Sequence, residues 1–217
     1  MLVATVFDLD ETLIDSAATW TQVIGTVAAG HGYSWTPADW AAIQGRSTSY
    51  WGTYLAHRCP NLTPESAAAE CVDGMITAVE QGRFGLLPGA ADLLATAAEL
   101  GPVGLVSASP GRYVHACVTA CGLGPHLRTT VTGDDVTQGK PAPDPYLLAA
   151  RRLGLPPALC LAVEDSGSGI RSAHTAEMTV LAIPNATTAL DFGVLTLATH
   201  IAADADIATK ALPTLVG

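Results

Sequence analysis

From residue 85 onward the chain alternates short apolar, β-rich runs with segments of helical periodicity, and this rhythm restricts the fold more than any other feature. Val103 to Val106, Thr129 to Thr132, Leu159 to Val163 and Thr179 to Ile183 read as strands, each apolar enough to be buried on both faces of a parallel sheet. Ala90 to Leu100, Tyr113 to Cys121, Asp144 to Leu153 and Gly167 to Thr175 read as the intervening helices, several closed by glycine at Gly101, Gly122 and Gly154, the residue that ends helices most readily. Leu2 to Phe7 is a further strand of the same kind. Strands joined through helices need crossover connections, so the expected fold is α/β, a Rossmann-like three-layer core with a mainly parallel sheet.

The stretch from Ser16 to Phe84 breaks the rhythm. It holds no clear β run, shows helical spacing at Trp20, Val23, Ile24 and Val27, and contains all four tryptophans, Trp20, Trp35, Trp40 and Trp51. The expected organisation is therefore a catalytic core of residues 1–15 and 85–217, with a small helical cap, residues 16–84, inserted after strand one. Pro88 and Gly89 turn the chain back into the core, and two neighbouring crossings would let the insertion move as a lid.

Charge narrows the class of ligand. Ten Lys+Arg against twenty Asp+Glu give a formal charge of -10, which repels a phosphate backbone and argues against nucleic acid as a partner. No stretch approaches the roughly 18 uninterrupted apolar residues of a membrane span, and the first apolar run lacks the basic flank of an export signal. No membrane partner is expected, and the expected compartment is cytoplasmic. Five scattered cysteines, an odd number, do not suggest a disulfide framework. Cys117 and Cys121 stand four apart, with no matching Cys or His pair to complete a metal site.

Ligands of open parallel sheets bind at the carboxyl ends of the strands, and there the chemistry collects. Strand one ends in Asp8 and Asp10, which share one side of an extended chain; two like charges so placed need compensation. Ser107, Ala108 and Ser109 follow the second strand and precede a helix start, where hydroxyl and amide donors receive anions. Glu164 and Asp165 follow a later strand, and GKPAPDPY carries Lys140, one of only two lysines. Together these supply carboxylates for a hard divalent cation, donors for phosphoryl oxygens and one ammonium.

FDLDETL, LVSASP, GKPAPDPY and VEDSGSGI resemble, in order, the four motifs of the haloacid dehalogenase superfamily. The helical insertion between the first two resembles the branch with a four-helix cap, which includes β-phosphoglucomutase and phosphoglycolate phosphatase. The resemblance implies a Mg²⁺-dependent phosphatase that hydrolyses a small phosphomonoester, a sugar or polyol phosphate, through an aspartyl phosphate. It implies Asp8 as nucleophile and Asp10 as general acid and base. Thr12, Ser107, Ala108 and Lys140 would hold the phosphoryl group, and Asp8, Asp10 (through its backbone carbonyl), Glu164 and Asp165 the Mg²⁺. A phosphomutase of the β-phosphoglucomutase type is the alternative; a non-catalytic module is disfavoured because no motif residue is missing.

Departures from the pattern set further expectations. Glu11 stands where this branch commonly has glycine, and is read as facing the cap hinge, with tuning of metal affinity or rejection of anionic leaving groups as the rival role. The cap has no lysine, which disfavours Schiff-base chemistry of the phosphonoacetaldehyde hydrolase kind. Trp20 stands where β-phosphoglucomutase has a histidine, and Arg46, Arg58 and Arg83 are the only Lys or Arg residues of the cap, too few to grip a bisphosphate at both ends; hydrolysis is favoured over mutase action. Arg46, in IQGRSTS, is the expected cap contact to substrate, whereas His31 and Trp20 are read as cap packing. The expected partner is a small phosphorylated molecule, and the expected state a monomer or homodimer.

Overall fold

The computed structural model describes residues 2–43 and 47–216. Its elements run β1 Ala4–Asp8, α1 Ala17–Gly30, α2 Pro37–Ile43, α3 Thr48–Arg58, α4 Pro64–Glu80, α5 Ala90–Leu100, β2 Val103–Val106 and α6 Gly111–Ala120. They continue as β3 Thr129–Val131, α7 Asp144–Leu153, β4 Cys160–Glu164, α8 Gly167–Thr175, β5 Thr179–Ala182, α9 Phe192–Leu195, β6 His200–Ile201 and α10 Ala205–Leu215.

The six strands form one parallel sheet in the order β3-β2-β1-β4-β5-β6. The chain works outward from β1 through β2 to β3 and then crosses back to lay β4 against the other side of β1. The strand order therefore reverses at β1, and a crevice opens there at the carboxyl ends. Register sets Asp8 beside Val106 and Phe7 beside Val163, so β1 and its two neighbours end together.

Strand alternation sorts the apolar residues onto two faces. Phe7, Leu105, Leu161 and Val163 pack with Leu93 of α5 and Leu212 of α10 on one side. Ala4, Val6, Ala162 and Val180 pack with Tyr146 and Ala149 of α7 and Ile170 of α8 on the other. The first of these cores continues without a break into the helices between β1 and β2 through Val23, Ile24, Leu55 and Met75. The two chain segments that lead into and out of those helices are hydrogen-bonded to each other, Asp15 N–H to the Gly85 carbonyl and Leu87 N–H to the Leu13 carbonyl, both at 2.9 Å.

Within the helical insertion Asp39 is 3 % exposed and accepts from Arg58 Nε (2.7 Å), Tyr54 Oη (2.9 Å) and Thr36 Oγ1 (2.6 Å). Arg58, counted above among the cap's few cations, is thus committed to holding α2 against α3. Among the described residues no helix is long and apolar enough to cross a membrane.

β2 matches the sequence expectation and the other expected strands differ from it by one or two residues at an end; β1, for example, begins at Ala4 rather than Leu2 and includes Asp8. Three elements of the core escaped the sequence reading, among them the four-residue α9. The two-residue β6 is too short to carry a periodic signal, and α10 contains Pro213 in its last turns, which reads as a helix stop. Its start was legible: Asp204 accepts from the Ile207 N–H at 2.8 Å, an N-cap.

Close approach explains one glycine and predicts a measurable contrast. A Cβ at Gly101, between α5 and β2, would overlap the Val3 carbonyl oxygen, whereas one at Gly30, the exposed last residue of α1, would meet nothing. Gly101→Ala is expected to destabilise by about 2 kcal/mol or more, and Gly30→Ala to be neutral or to stabilise by roughly 0.5 kcal/mol. Denaturant titration of the two variants checks both signs.

Candidate active site

Asp8, the last residue of β1, is 7 % exposed. Its Oδ1 accepts from Lys140 Nζ at 2.6 Å, and the same ammonium donates to Glu164 Oε1 at 2.5 Å. Glu164 ends β4 and is fully buried. It also accepts from Tyr146 Oη at 2.6 Å and from Ser166 Oγ at 3.1 Å, and it fits only because Gly169 of α8 has no side chain, since a Cβ there would overlap the carboxylate. Asp165 accepts from Asn185 Nδ2 at 2.7 Å and from Thr12 Oγ1 at 3.4 Å.

Carboxylate oxygens of Asp8, Glu164 and Asp165 lie within 4.8 Å of one another, and Lys140 is the one ammonium among them. The charge does not balance. Burial pushes the Asp8 carboxyl up to about 7, with Lys140 opposing the rise and Glu164 adding to it. Asp165 is pushed well above the carboxylate range by burial first and then by Asp8 and Glu164. Asp8 Oδ2 is buried without a hydrogen-bond partner among the described residues. An orphaned carboxylate oxygen beside two further acids is the donor set of a hard divalent cation, so the residues present fit one.

Asp10 takes no part in that trio. Its Oδ1 accepts from Tyr113 Oη and Ser16 Oγ, both at 2.7 Å, and its Oδ2 from Ser109 Oγ at 3.1 Å, with Trp20 Nε1 at 3.4 Å and Ser107 Oγ at 3.5 Å as longer approaches. Glu11 has φ 66°, a left-handed conformation in which glycine is unstrained, which accounts for glycine being common at this position. Here the side chain compensates. Glu11 Oε1 accepts from the Ser16 and Ala17 N–H groups at 2.9 and 2.8 Å, capping α1 in place of Ser16, whose own hydroxyl is turned to Asp10. Glu11 therefore ties the turn after β1 to the first turn of α1.

Above these groups lies a cavity of about 200 Å³. Its floor holds Asp8, Ser107, Ala108, Lys140, Asp165 and Asn185, and its roof Trp20, Ile24, Trp40, Ile43 and Trp51. Of the residues singled out from the sequence, Asp8, Asp10, Ser107, Ala108, Lys140 and Asp165 line it. Glu164 and Thr12 do not: both are buried behind it, Glu164 gripping Lys140 and Thr12 turned to Asp165. Arg46 lies outside the described residues. Trp20, read as packing, lines the cavity and reaches Asp10. Ser109, named with Ser107 as an anion donor, also lines the cavity but donates to Asp10; Tyr113 and Asn185 were missed. Asn185 was findable, since it follows β5 and the strand-end rule was not carried that far; Tyr113 had no sequence signal, because only tertiary packing aims its hydroxyl at Asp10.

The buried acids make a prediction about stability. The Asp8 carboxyl is raised in the folded protein relative to its range near 4 when unfolded, so the folded state binds the extra proton. Without divalent cations, stability is expected to fall as pH rises from about 4 to about 7 and then to level off. Adding Mg²⁺ should raise Tm more at pH 8 than at pH 5, because the cation competes with that proton. Thermal melts with chelator and with Mg²⁺ at both pH values check the sign.

Comparison with known proteins bears on the family and the fold. The chain is 32% identical over 197 residues to protein CbbY of Rhodobacter capsulatus, covering 85% of this chain and 86% of that one. It is 34% identical over 180 residues to hexitol phosphatase A of Escherichia coli (strain K12), covering 82% and 81%. The crystal structure of CbbY from Rhodobacter sphaeroides in complex with phosphate superposes with a TM-score of 0.85 at 23% identity, over 97% of this chain and 96% of that one, which shows the same fold. The family model described as haloacid dehalogenase-like hydrolase matches residues 3–177, and the chain belongs to that family of hydrolases.

Proposed function

We propose that this protein is a Mg²⁺-dependent phosphatase that hydrolyses a small sugar or polyol phosphomonoester through an aspartyl phosphate on Asp8. The observation that carries the reading is the state of the Asp8 carboxylate: one oxygen held by Lys140, the other without a partner, at the floor of a cavity with Asp10 beside it. The names of relatives support it, among them hexitol phosphatase A and the validoxylamine A 7'-phosphate phosphatase of Streptomyces hygroscopicus subsp. limoneus.

In this mechanism Asp8 Oδ2 attacks phosphorus while the bond to the leaving alcohol oxygen breaks, and Asp10 gives that oxygen its proton. Asp10, now a carboxylate, takes a proton from water, whose oxygen attacks phosphorus and breaks the acyl phosphate bond. Inorganic phosphate leaves, and both aspartates return to their starting states. Ser107, the Ala108 amide and Lys140 hold phosphoryl oxygens as charge develops. Ser16, Ser109 and Tyr113 aim Asp10. Thr12, given to the phosphoryl group by the family pattern, is reassigned to orienting Asp165.

Asp8, Asp165 and the backbone carbonyl of Asp10 would hold Mg²⁺, with Glu164 behind them; when bound the ion neutralises the acids and the phosphoryl oxygens. Residues 16–84 act as the lid, hinged at the paired segments near Asp15 and Gly85, excluding water from the first step.

Asp8→Asn is expected to abolish phosphate release from every substrate, by about a thousandfold or more, while the fold is retained, since the change relieves repulsion among the buried acids. Asp10→Asn should cost about 100- to 10,000-fold with alkyl phosphates and much less with aryl phosphates, whose leaving groups need little proton donation. Free phosphate assayed across a leaving-group series checks both, and isomerised sugar phosphate without phosphate release would overturn the hydrolase reading.

A further inference from the structure

We propose that Asn185 is a positioning residue for the divalent cation: its amide holds Asp165 as a ligand and pins the chain from 187 to 195, so that binding of the ion and ordering of that segment are linked. This rests on the reading above, in which Asp8 and Asp165 hold Mg²⁺. The backbone brings the residue to the site. β4 and β5 pair as far as Glu164 and Ala182, and beyond them the Ile183 N–H donates to the Glu164 carbonyl at 2.8 Å and the Asn185 N–H to the Asp165 carbonyl at 3.3 Å.

The Asn185 side chain then makes three hydrogen bonds. Its Nδ2 donates to Asp165 Oδ2 at 2.7 Å, while its Oδ1 accepts from the Thr187 and Thr188 N–H groups at 3.0 and 2.9 Å. Of the amide's two ends only the oxygen can accept those protons, so the nitrogen is left to face Asp165. Asparagine closes turns of this kind onto its own backbone, and unlike aspartate it keeps a donor for a neighbouring carboxylate. The other oxygen of Asp165 is approached by Thr12 Oγ1 at 3.4 Å, so the Asn185 bond is the shorter of the two. A donor there favours the ionised carboxylate, the form that binds a cation, and the hydrogen-bond partners of ligating carboxylates tune a site's affinity.

The same amide anchors the segment that follows it. Thr188 and Val194 are buried there, whereas Leu190 and Phe192 are each 77% exposed. Asp191 caps the short α9, accepting from the Val194 N–H at 3.0 Å. A stretch that buries so few of its apolar side chains opens locally at low cost, and Asn185 joins its first turn to the cation ligand through one planar group. Whatever fixes Asp165 therefore fixes Asn185 and steadies the turn at 187 and 188. By linkage the effect is reciprocal: ordering the turn favours the ion, and binding the ion favours the turn.

Two measurements with Mg²⁺ at pH 8 test this: the apparent Kd from the rise in Tm, and amide hydrogen exchange across residues 186–195, with the peptide covering α5 as reference. In the unaltered protein Mg²⁺ is expected to raise Tm and to slow exchange at 186–195 by about fivefold relative to α5. Asn185→Ser keeps an oxygen that can close the turn but is too short to reach Asp165. It should weaken the apparent Kd by about tenfold or more and remove the Mg²⁺ dependence of exchange at 186–195; Asn185→Ala gives the same Kd readout if Asn185→Ser does not fold. A variant Kd within about twofold of the unaltered value, or Mg²⁺ protection of the segment that is absent from the unaltered protein or equal in both, would overturn the inference while leaving the phosphatase reading intact. Failure of Mg²⁺ to raise the Tm of the unaltered protein would overturn the Mg²⁺-dependent reading, and the inference with it.

Discussion

Three carboxylates, Asp8, Glu164 and Asp165, are buried against a single ammonium, Lys140, and much of the molecule is arranged around that imbalance. Glu164 is fully buried, and is tolerated there because Lys140, Tyr146 and Ser166 satisfy it and Gly169 leaves room for it. Asp165 leans on Thr12 and Asn185. Asp8 is left with one oxygen unpartnered. In the proposed mechanism that oxygen lets one group serve as nucleophile and as cation ligand. Under the proposed function, the cost in folded-state stability would be offset by a bound divalent cation.

A second arrangement links the core to the helices above it. The six residues from Asp10 to Asp15 reverse the chain, and within them Glu11 accepts a left-handed conformation and uses its carboxylate to cap α1. That frees Ser16 to hold Asp10, while Trp20, one turn further along α1, reaches the same carboxylate. The position of α1 and the orientation of Asp10 are thus tied together through these bonds. The residue that departs from the family pattern is part of this connection, and its substitution for glycine exchanges backbone freedom for two hydrogen bonds.

The α/β rhythm was legible because the central strands of the parallel sheet are buried on both faces and several helices are bounded by glycine or proline, signals that survive in one dimension. The strand-end rule led from that rhythm to Asp8, Ser107, Ala108 and Asp165, all on the cavity. Other roles were not legible. Ser109 read as an anion donor and Trp20 as packing, yet both turn to Asp10, because a hydroxyl or an indole declares no partner until the fold supplies one. Tyr113 is completely buried and periodicity marks it only as core, yet its hydroxyl makes one of the two shortest contacts to Asp10.

By itself the sequence determined that this chain is an α/β protein whose strands end in acids, and the order of its motifs determined its family, because the spacing of side chains along strands and helices is a local property. The division of labour among the acids was decided only by the tertiary structure. Asp8 and Asp10 look equivalent along the strand, but Asp8 faces Lys140, Glu164 and Asp165, brought in from more than a hundred residues away, while Asp10 faces hydroxyls and an indole. Burial and the partners across the crevice, neither encoded within any one segment, give the two aspartates different surroundings, and on these the roles proposed for them rest.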